Sequence, residues 1–220
     1  MNYLGSERTV IQPFSLDKIG ETVQGKVGDP IQLFQKAKVT KVIRKFNNDV
    51  DTIDQDEFQK HQIEWQQQDG YHVKSCTGKD FIVSREELAG NQIWLSLKEE
   101  EQTVELYFAH IGEVFVQEGE EITSGTIVGT EGNTGLMSGT QENGGINYPS
   151  LVRFSAYENG LAIDPRAYAF QPVQEVTPFS QQKEEQCKEE PTLLFTCFKD
   201  GTYYVRLRQG EQLYLKKKNS

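Results

Sequence analysis

Three observations in the sequence predict a mainly β protein. The 220 residues include 19 glycines and 7 prolines, and many glycines separate short runs rich in valine, isoleucine, threonine and tyrosine, as in strands joined by tight turns. Apolar and polar residues alternate in several of these runs, which is the period of a half-buried strand. Aromatic residues make up 10% of the chain, so it can bury a core and is not a disordered polymer.

The composition limits which binding partners and which cellular compartment we expect for the protein. A net charge of −10 would repel a phosphate backbone, so we expect no nucleic-acid partner. No apolar run is long enough to span a membrane, and residues 1–17 have no apolar signal region, so we expect synthesis in the cytoplasm without export. The three cysteines, Cys76, Cys187 and Cys197, form no CxxC pair. They are interpreted as free thiols, with a Cys187–Cys197 bridge left open.

The N-terminal half is predicted to contain short strands and one acidic insertion. Residues 1–20 are expected to form an extended arm, and residues 21–46 two strands around the Gly-Asp-Pro turn. Residues 47–89 are predicted to be an insertion: a polar, acidic segment with a helix near 55–68, a hairpin closed by Thr-Gly-Lys-Asp, and one helical turn that ends at Gly90.

The C-terminal half is predicted to continue as strands and to end in a separate element. Strands are expected through residue 170, so the β domain covers residues 21–172. Residues 173–191 contain "QQKEEQCKEE" and are interpreted as a charged linker. Residues 192–220 predict a three-stranded meander, too small to be stable alone. Its Tyr203, Tyr204, Leu213 and Tyr214 are candidate interface residues, because tyrosine is favoured at interfaces.

An ordered set of short motifs then suggests a family. "GDPIQLFQKAKVTKVI", "GNQIWLSL", "YFAHIGEVFVQEGEEITSGTIVGTEGNTG" and "VRFSAYENGLAIDPRAY" follow one another along the chain. In this order they resemble the lysostaphin-type zinc endopeptidases of bacterial cell-wall metabolism. The resemblance covers about half of the chain, residues 19–46 and 90–168, and implies a coiled β-sandwich with a zinc cleft.

The zinc ligands that the resemblance implies are not present. The family holds zinc with two histidines and an aspartate, and further histidines assist the bound water. Its His-x-x-x-Asp pair would fall near Lys18 and Thr22, and its His-x-His pair on Leu151 and Arg153. Only His110 matches a family histidine. We therefore expect a degenerate member with no metal, no cofactor and a vestigial His110.

Other chemical readings of the sequence are weaker. His61 and His72 lie in the insertion and are interpreted as surface histidines. The acidic run from Asp49 has Asp54 and Lys60 where a calcium-binding EF-hand loop needs glycine and glutamate, so a solvated acidic loop is expected. The glycine-rich stretch 125–145 lacks the Gly-Lys-Ser/Thr ending of a phosphate loop. No lysine sits in a carrier-type hairpin that would accept biotin or lipoate.

These inferences favour a non-enzymatic structural or interaction protein. The expected setting is a large assembly of protein subunits, a bacteriophage tail or baseplate, with the protein in the virion. Two alternatives stay open. One is an inactive regulator of a cell-wall amidase, and the other is an active peptidoglycan hydrolase with an unrecognised site.

Overall fold

The computed structural model describes residues 2–15, 19–99, 102–142 and 145–170 together with three strands within 192–218. The chain divides into two compact units, Met1–Pro172 and Val173–Ser220. In the first unit the strands are β1 (Asn2–Tyr3), β2 (Ser6–Glu7), β3 (Thr9–Gln12), β4 (Glu21–Gln24), β5 (Pro30–Gln32), β6 (Ala37–Ile43), β7 (Thr52–Asp54), β8 (Gln66–Gln67), β9 (Gly70–Lys74), β10 (Asp80–Val83), β11 (Asn91–Glu99), β12 (Gln102–Val114), β13 (Glu121–Ile122), β14 (Ile127–Glu131), β15 (Gly135–Met137), β16 (Thr140–Glu142), β17 (Gly145–Asn147), β18 (Val152–Glu158) and β19 (Leu161–Ile163).

Among the described residues the helices are few and short, in agreement with the mainly β prediction. They are α1 (Gln55–Trp65), α2 (Arg166–Ala169) and a 3₁₀ turn at Glu87–Ala89. The predicted helix in the insertion is thus confirmed, and Asp54 caps it because its side chain accepts a hydrogen bond from the Glu57 N–H at 2.8 Å.

One large antiparallel sheet organises the first unit. Its strand order is β13-β6-β11-β12-β18-β4-β3, with β14 pairing β12 and β5, and β19 pairing β18. Alternate residues of the central strands point inward: Ile93, Leu95 and Leu97 on β11, and Leu106 and Phe108 on β12, are all buried. The predicted strands of residues 91–163 are therefore confirmed, and residues 21–46 form three strands instead of two.

The N-terminal segment is part of the folded body and not the extended arm expected from the sequence. Tyr3 and Leu4 have no exposed surface. The Leu4 N–H donates to the Ala169 carbonyl at 2.8 Å, and the Leu4 carbonyl accepts from Gln32 N at 2.9 Å. Strand β3 extends the sheet beyond β4. The apolar pair Tyr3-Leu4 explains the difference, because its burial against distant strands holds the segment on the folded body.

The insertion has its own buried apolar cluster, separate from the core of the large sheet. Phe46, Ile53, Phe58, Val73 and Val83 are buried together there. Strand β7 pairs in parallel with β15, which ties the insertion to the first unit's C-terminal half. The acidic run is therefore only partly a solvated loop: Asp51 is buried and accepts from Lys79 Nζ at 2.6 Å. Burial would raise the pKa of Asp51, but hydrogen bonds from Lys79 and Asn47 hold it below its usual value.

The second unit contains the predicted meander. Strands β20 (Thr192–Lys199), β21 (Thr202–Gln209) and β22 (Gln212–Lys218) pair antiparallel in the order β20-β21-β22. The expected linker, 173–191, lies outside the described residues.

Candidate functional site

Sheet pairing brings the predicted site positions into one neighbourhood. Arg153 on β18 lies opposite Thr22 on β4 on one side and opposite Ala109 on β12 on the other. His110 follows Ala109 directly. Leu151 directly precedes β18, and its N–H donates to the carbonyl of Gly132, which follows β14, at 2.9 Å. Lys18 lies outside the described residues. The structure thus places four of the five sequence-predicted positions together.

His110 sits at an irregular point of β12. Between the pairs Asn91↔Ile111 and Ile93↔Phe108, β12 has two residues opposite the single Gln92, so the strand bulges there. His110 adopts φ 61°, a left-handed conformation that is uncommon for residues other than glycine. Its Nδ1 lies 2.9 Å from the Thr134 carbonyl oxygen. Because a carbonyl only accepts, Nδ1 carries the proton, and in the neutral ring Nε2 is left as an acceptor.

The surroundings favour the neutral form of His110. Burial lowers the pKa of His110, and the positive charge of Arg153 lowers it further, while the hydrogen bond to Thr134 opposes the shift. A neutral imidazole could accept a proton. Among the described residues, the hydrogen bond of the His110 ring goes to a backbone carbonyl and not to a carboxylate.

The motifs that carry the family resemblance meet around His110. The Thr134 hydroxyl accepts from the Asn91 N–H at 3.0 Å and donates to the Ile111 carbonyl at 2.9 Å. Asn91 and Thr134 come from the "GN" and "GNTG" motifs, and His110 from "YFAH". Backbones approach so closely here that a Cβ on Gly90 would lie 2.4 Å from the Thr134 carbonyl oxygen. These motifs therefore build one packed junction.

Asn91 is the central polar residue of that junction. It is 1% exposed. Its Oδ1 accepts from the N–H groups of Lys45 and Phe46, both at 2.9 Å. Its Nδ2 donates to the carbonyls of Phe46 at 2.8 Å and Gly112 at 2.9 Å. All four hydrogen-bonding capacities of the amide are used, so this residue has a structural task.

Arg153 is the residue that the motif order aligns with a ligand of the zinc peptidases. Its guanidinium is held by a hydrogen bond from Nη2 to the Ile19 carbonyl at 2.7 Å. The charge of Arg153 also acts on Tyr107: burial raises the pKa of the Tyr107 phenol, and the positive charge of Arg153 opposes that rise.

The residues present do not fit a zinc ion. Guanidinium stays protonated in proteins and has no lone pair to offer. Leu151 has no donor atom, and the hydroxyl of Thr22 is not among the ligand types of protein zinc sites. Within the described parts of the chain, no three histidine, cysteine, aspartate or glutamate side chains are grouped as a metal site. No step of a zinc-dependent reaction can be assigned to these residues.

An aromatic pair on β11 and β12 lies near Arg153, and the sequence did not predict it. Trp94 and Tyr107 are cross-strand neighbours with ring centroids 4.2 Å apart. The Tyr107 hydroxyl donates to Gln92 Oε1 at 3.1 Å. Both residues are only partly buried although they lie on central strands. The signal was available in the alternation of "NQIWLSL" and "TVELYFAH", which places both rings on the polar face.

The remaining candidates lie elsewhere. His61 is on α1 and His72 on β9, both in the insertion. Tyr203 and Tyr204 lie opposite Lys218 and Lys217, and Leu213 and Tyr214 opposite Arg208 and Leu207. Cys76 is a free, exposed cysteine, and Cys187 lies outside the described residues. No helix in the described part of the chain combines the length and the apolar character needed to cross a membrane.

Solved structures that this chain is similar to come from the family that the motifs suggest. The catalytic domain of lysostaphin from Staphylococcus simulans has 18% identity and a TM-score of 0.40, covering 74% of this chain and 90% of that domain. The catalytic domain of EnpA, a prophage-encoded M23 protein from Enterococcus faecalis, has 13% identity and a TM-score of 0.39, covering 74% and 88%. LytU has 18% identity and a TM-score of 0.40, covering 76% and 82%.

Sequence comparisons find no relative: no protein-family model matches the chain, and neither does any curated protein sequence. The chain is thus a mainly β protein with the fold of the lysostaphin-type peptidases. In its sheet Arg153 lies between Thr22 and Ala109, next to His110.

Proposed function

We propose that the protein is a non-enzymatic interaction protein built on a peptidase-like scaffold, and that it serves as a structural subunit of a large protein assembly, a bacteriophage tail or baseplate. The observation that carries the proposal is the position of Arg153. Arg153 lies between Thr22 and Ala109 in the sheet, and its guanidinium donates a hydrogen bond to the Ile19 carbonyl. A permanent cation in the cleft opposes the binding of Zn²⁺.

The way the cleft is built supports the same proposal. The junction of Asn91, His110 and Thr134 fixes β11, β12 and the segment between β14 and β15 to one another through hydrogen bonds. That arrangement stabilises the scaffold without using any group as a nucleophile or metal ligand. A scaffold kept in this form, with its ligand positions filled by other residues, suits a protein used for its surface.

The added elements are the proposed contact surfaces. The insertion at 47–89 has its own apolar cluster, and the second unit is a separate three-stranded sheet. Neither belongs to residues 19–46 and 90–168, whose motifs resemble the peptidases. We assign contacts with neighbouring subunits to these two elements, including the interface candidates Tyr203, Tyr204, Leu213 and Tyr214.

The deciding experiment measures the native mass of the species that contains this chain in an untreated lysate of its natural source. Sedimentation in the megadalton range together with virion proteins is the expected result. A species of about one chain mass, 25.1 kDa, or a small complex with a cell-wall amidase would overturn it, the latter in favour of the regulator.

A second measurement tests the non-enzymatic part separately. The purified chain is dialysed against zinc, and its metal content and its lysis of cell-wall preparations are determined. We expect neither stoichiometric zinc nor lysis. Zinc at one ion per chain together with lysis would establish a hydrolase with an unrecognised site.

A further inference from the structure

The outer face of the large sheet, turned away from the core, carries two aromatic rings and a cation. Trp94 on β11 lies opposite Tyr107 on β12, and Tyr107 lies opposite Ser155 on β18. Side chains alternate along a strand. Phe154 is buried in the core, so Arg153 and Ser155, on either side of it in the strand, belong to the outer face. We call Trp94, Tyr107 and Arg153 the outer-face site.

Arg153 is partly exposed and brings a positive charge to this site. No salt bridge involves Arg153 in the ranges that the structure describes. Its guanidinium makes one hydrogen bond there, from Nη2 to the Ile19 carbonyl at 2.7 Å. Arg8, by contrast, is paired with the carboxylate of Glu131. The remaining donors of the Arg153 guanidinium form a fork that matches the two oxygens of a carboxylate.

The charges around the site favour an anion beside Arg153, although the whole chain carries −10. Burial lowers the pKa of His110, and the positive charge of Arg153 lowers it further. Burial raises the pKa of Tyr107, the charge of Arg153 opposes that rise, and Glu86 adds to it. Glu86 is itself paired with Lys41 Nζ at 2.5 Å. At physiological salt, charges farther than about 8 Å apart are largely screened, so the nearby guanidinium acts on a ligand more strongly than distant acids do.

The aromatic pair adds an apolar surface at a distance from the cation. The ring centroids of Trp94 and Tyr107 are 4.2 Å apart, and both residues are partly exposed. Trp94 and Arg153 are two strand spacings and two residues apart, which separates their backbones by about 12 Å. A lone carboxylate group cannot contact both ends of the site. An extended peptide of roughly three or four residues covers that distance.

We propose that the outer-face site binds the C-terminal end of a peptide, with its α-carboxylate on the Arg153 guanidinium and its apolar side chains on the rings of Tyr107 and Trp94. His110 supplies an acceptor beside Arg153. Its Nδ1 proton is used by the Thr134 carbonyl, so Nε2 of the neutral ring can accept a peptide N–H. Capture of a C-terminal carboxylate is a recurring mode of peptide recognition. The inference does not rest on the proposed assembly, because a monomer can bind a peptide in this way.

The test uses the fluorescence of Trp94 in the full chain. The chain has two tryptophans, Trp65 and Trp94, so Trp65→Phe leaves Trp94 as the reporter. This reporter chain is titrated with the peptide Gly-Gly-Leu-Leu, with the same peptide as its C-terminal amide, and with acetate. We expect a saturable change with the free acid and an affinity at least about tenfold lower for the amide, which lacks the charge that Arg153 binds. Acetate should give no saturable change over the same range, because it cannot reach the rings.

Variants of the reporter chain assign the contacts. Arg153→Gln should bind the acid and the amide equally, and this ratio is measured within one variant, so a partial loss of folding cannot produce it. Arg153→Lys keeps the charge without the fork and should show an intermediate preference for the acid. Lys26→Gln removes one positive charge at an exposed position between β4 and β5 and should keep the full preference. Tyr107→Ala should bind the free acid more weakly than Tyr107→Phe, which keeps the ring.

Four results would overturn the proposal. They are a reporter chain that shows no saturable change with the free acid, equal binding of acid and amide by that chain, acetate that binds as tightly as the peptide, and an Arg153→Gln variant that keeps the preference for the acid. A megadalton particle isolated from the natural source could accompany any of these results, so this inference can fail while the proposed function stands.

Discussion

Arg8 Nε lies 2.6 Å from Glu131 Oε2, and neither side chain has any exposed surface. The two residues are 123 positions apart in the sequence. Glu131 Oε1 also accepts from the Gly25 N–H at 2.6 Å, and Arg8 donates to the carbonyls of Tyr3 at 2.6 Å and Pro30 at 2.9 Å. Burial raises the pKa of Glu131, and these hydrogen bonds oppose the rise. The pair fastens the N-terminal segment to the sheet.

Replacing Arg8 alone should therefore destabilise the first unit strongly. Arg8→Met leaves the Glu131 carboxylate buried without its cation, and we expect a loss of about 3–5 kcal/mol in the free energy of unfolding, measured by urea denaturation. The double variant Arg8→Met/Glu131→Gln removes the charge and keeps an acceptor for Gly25. It should be more stable than Arg8→Met alone. Equal stabilities of the two variants would show that the ion pair itself contributes little.

Alanine at Gly90 should cost more than alanine at a glycine in open space. Gly90 has φ +73°, and an added Cβ would lie 2.4 Å from both the carbonyl and the hydroxyl oxygen of Thr134. Gly28 has φ +88° with nothing within 4 Å of the same position. Gly28→Ala should cost only the left-handed conformation, about 1–2 kcal/mol. Gly90→Ala should cost about 1–3 kcal/mol more because of overpacking. Urea unfolding of both variants measures the difference, and equal costs would contradict a tight junction.

The stability of the protein should depend on pH through His110. Burial lowers the pKa of His110 in the folded chain below its ordinary value of 6.5. The unfolded chain therefore binds the proton more readily, and stability that is present above pH 6.5 is lost as the pH falls through 6.5 toward the folded value. Each unit of lowering is worth about 1.4 kcal/mol.

A pair of variants isolates that effect. His110→Asn cannot titrate and tolerates the left-handed backbone, so its free energy of unfolding should fall less than that of the wild type between pH 8 and pH 5. His72→Asn, at an exposed position on β9, should follow the wild type. A His110→Asn profile parallel to the wild type would refute the assignment.

Restoring the family ligands should create a zinc site. The variant Lys18→His/Thr22→Asp/Leu151→His/Arg153→His replaces the cation and supplies nitrogen and oxygen donors. We expect about one zinc per chain after dialysis, measured by elemental analysis, and none in the wild type. Arg153→Lys, which keeps the cation, is the matched control and should stay free of zinc. Stoichiometric zinc in that control would mean that the ion binds elsewhere.

Local sequence patterns predicted the strands and the helix of the insertion, whereas contacts between residues far apart in the sequence were not predicted. The hairpin β9–β10 and the helix α1 follow from turn residues and from spacing within a few positions. The burial of Tyr3 and the pairing of Arg8 with Glu131 depend on strands far along the chain, which no local pattern encodes. The positions of Thr22 and Arg153 were predicted from motif order, and the sheet does pair them. Trp94 and Tyr107 were missed because an aromatic ring on a strand is more often interpreted as core.

Three motifs meet at Thr134, and this junction shows that two groups of residues in the chain have different roles. The glycines, Asn91 and Thr134 specify how the strands fit together, whereas positions 22, 151 and 153 are those that the motif order aligns with zinc-site residues. The first group of residues can therefore be shared by chains that differ in the second group. Chains that share this junction should be sorted by those three positions before any of them is assigned an activity.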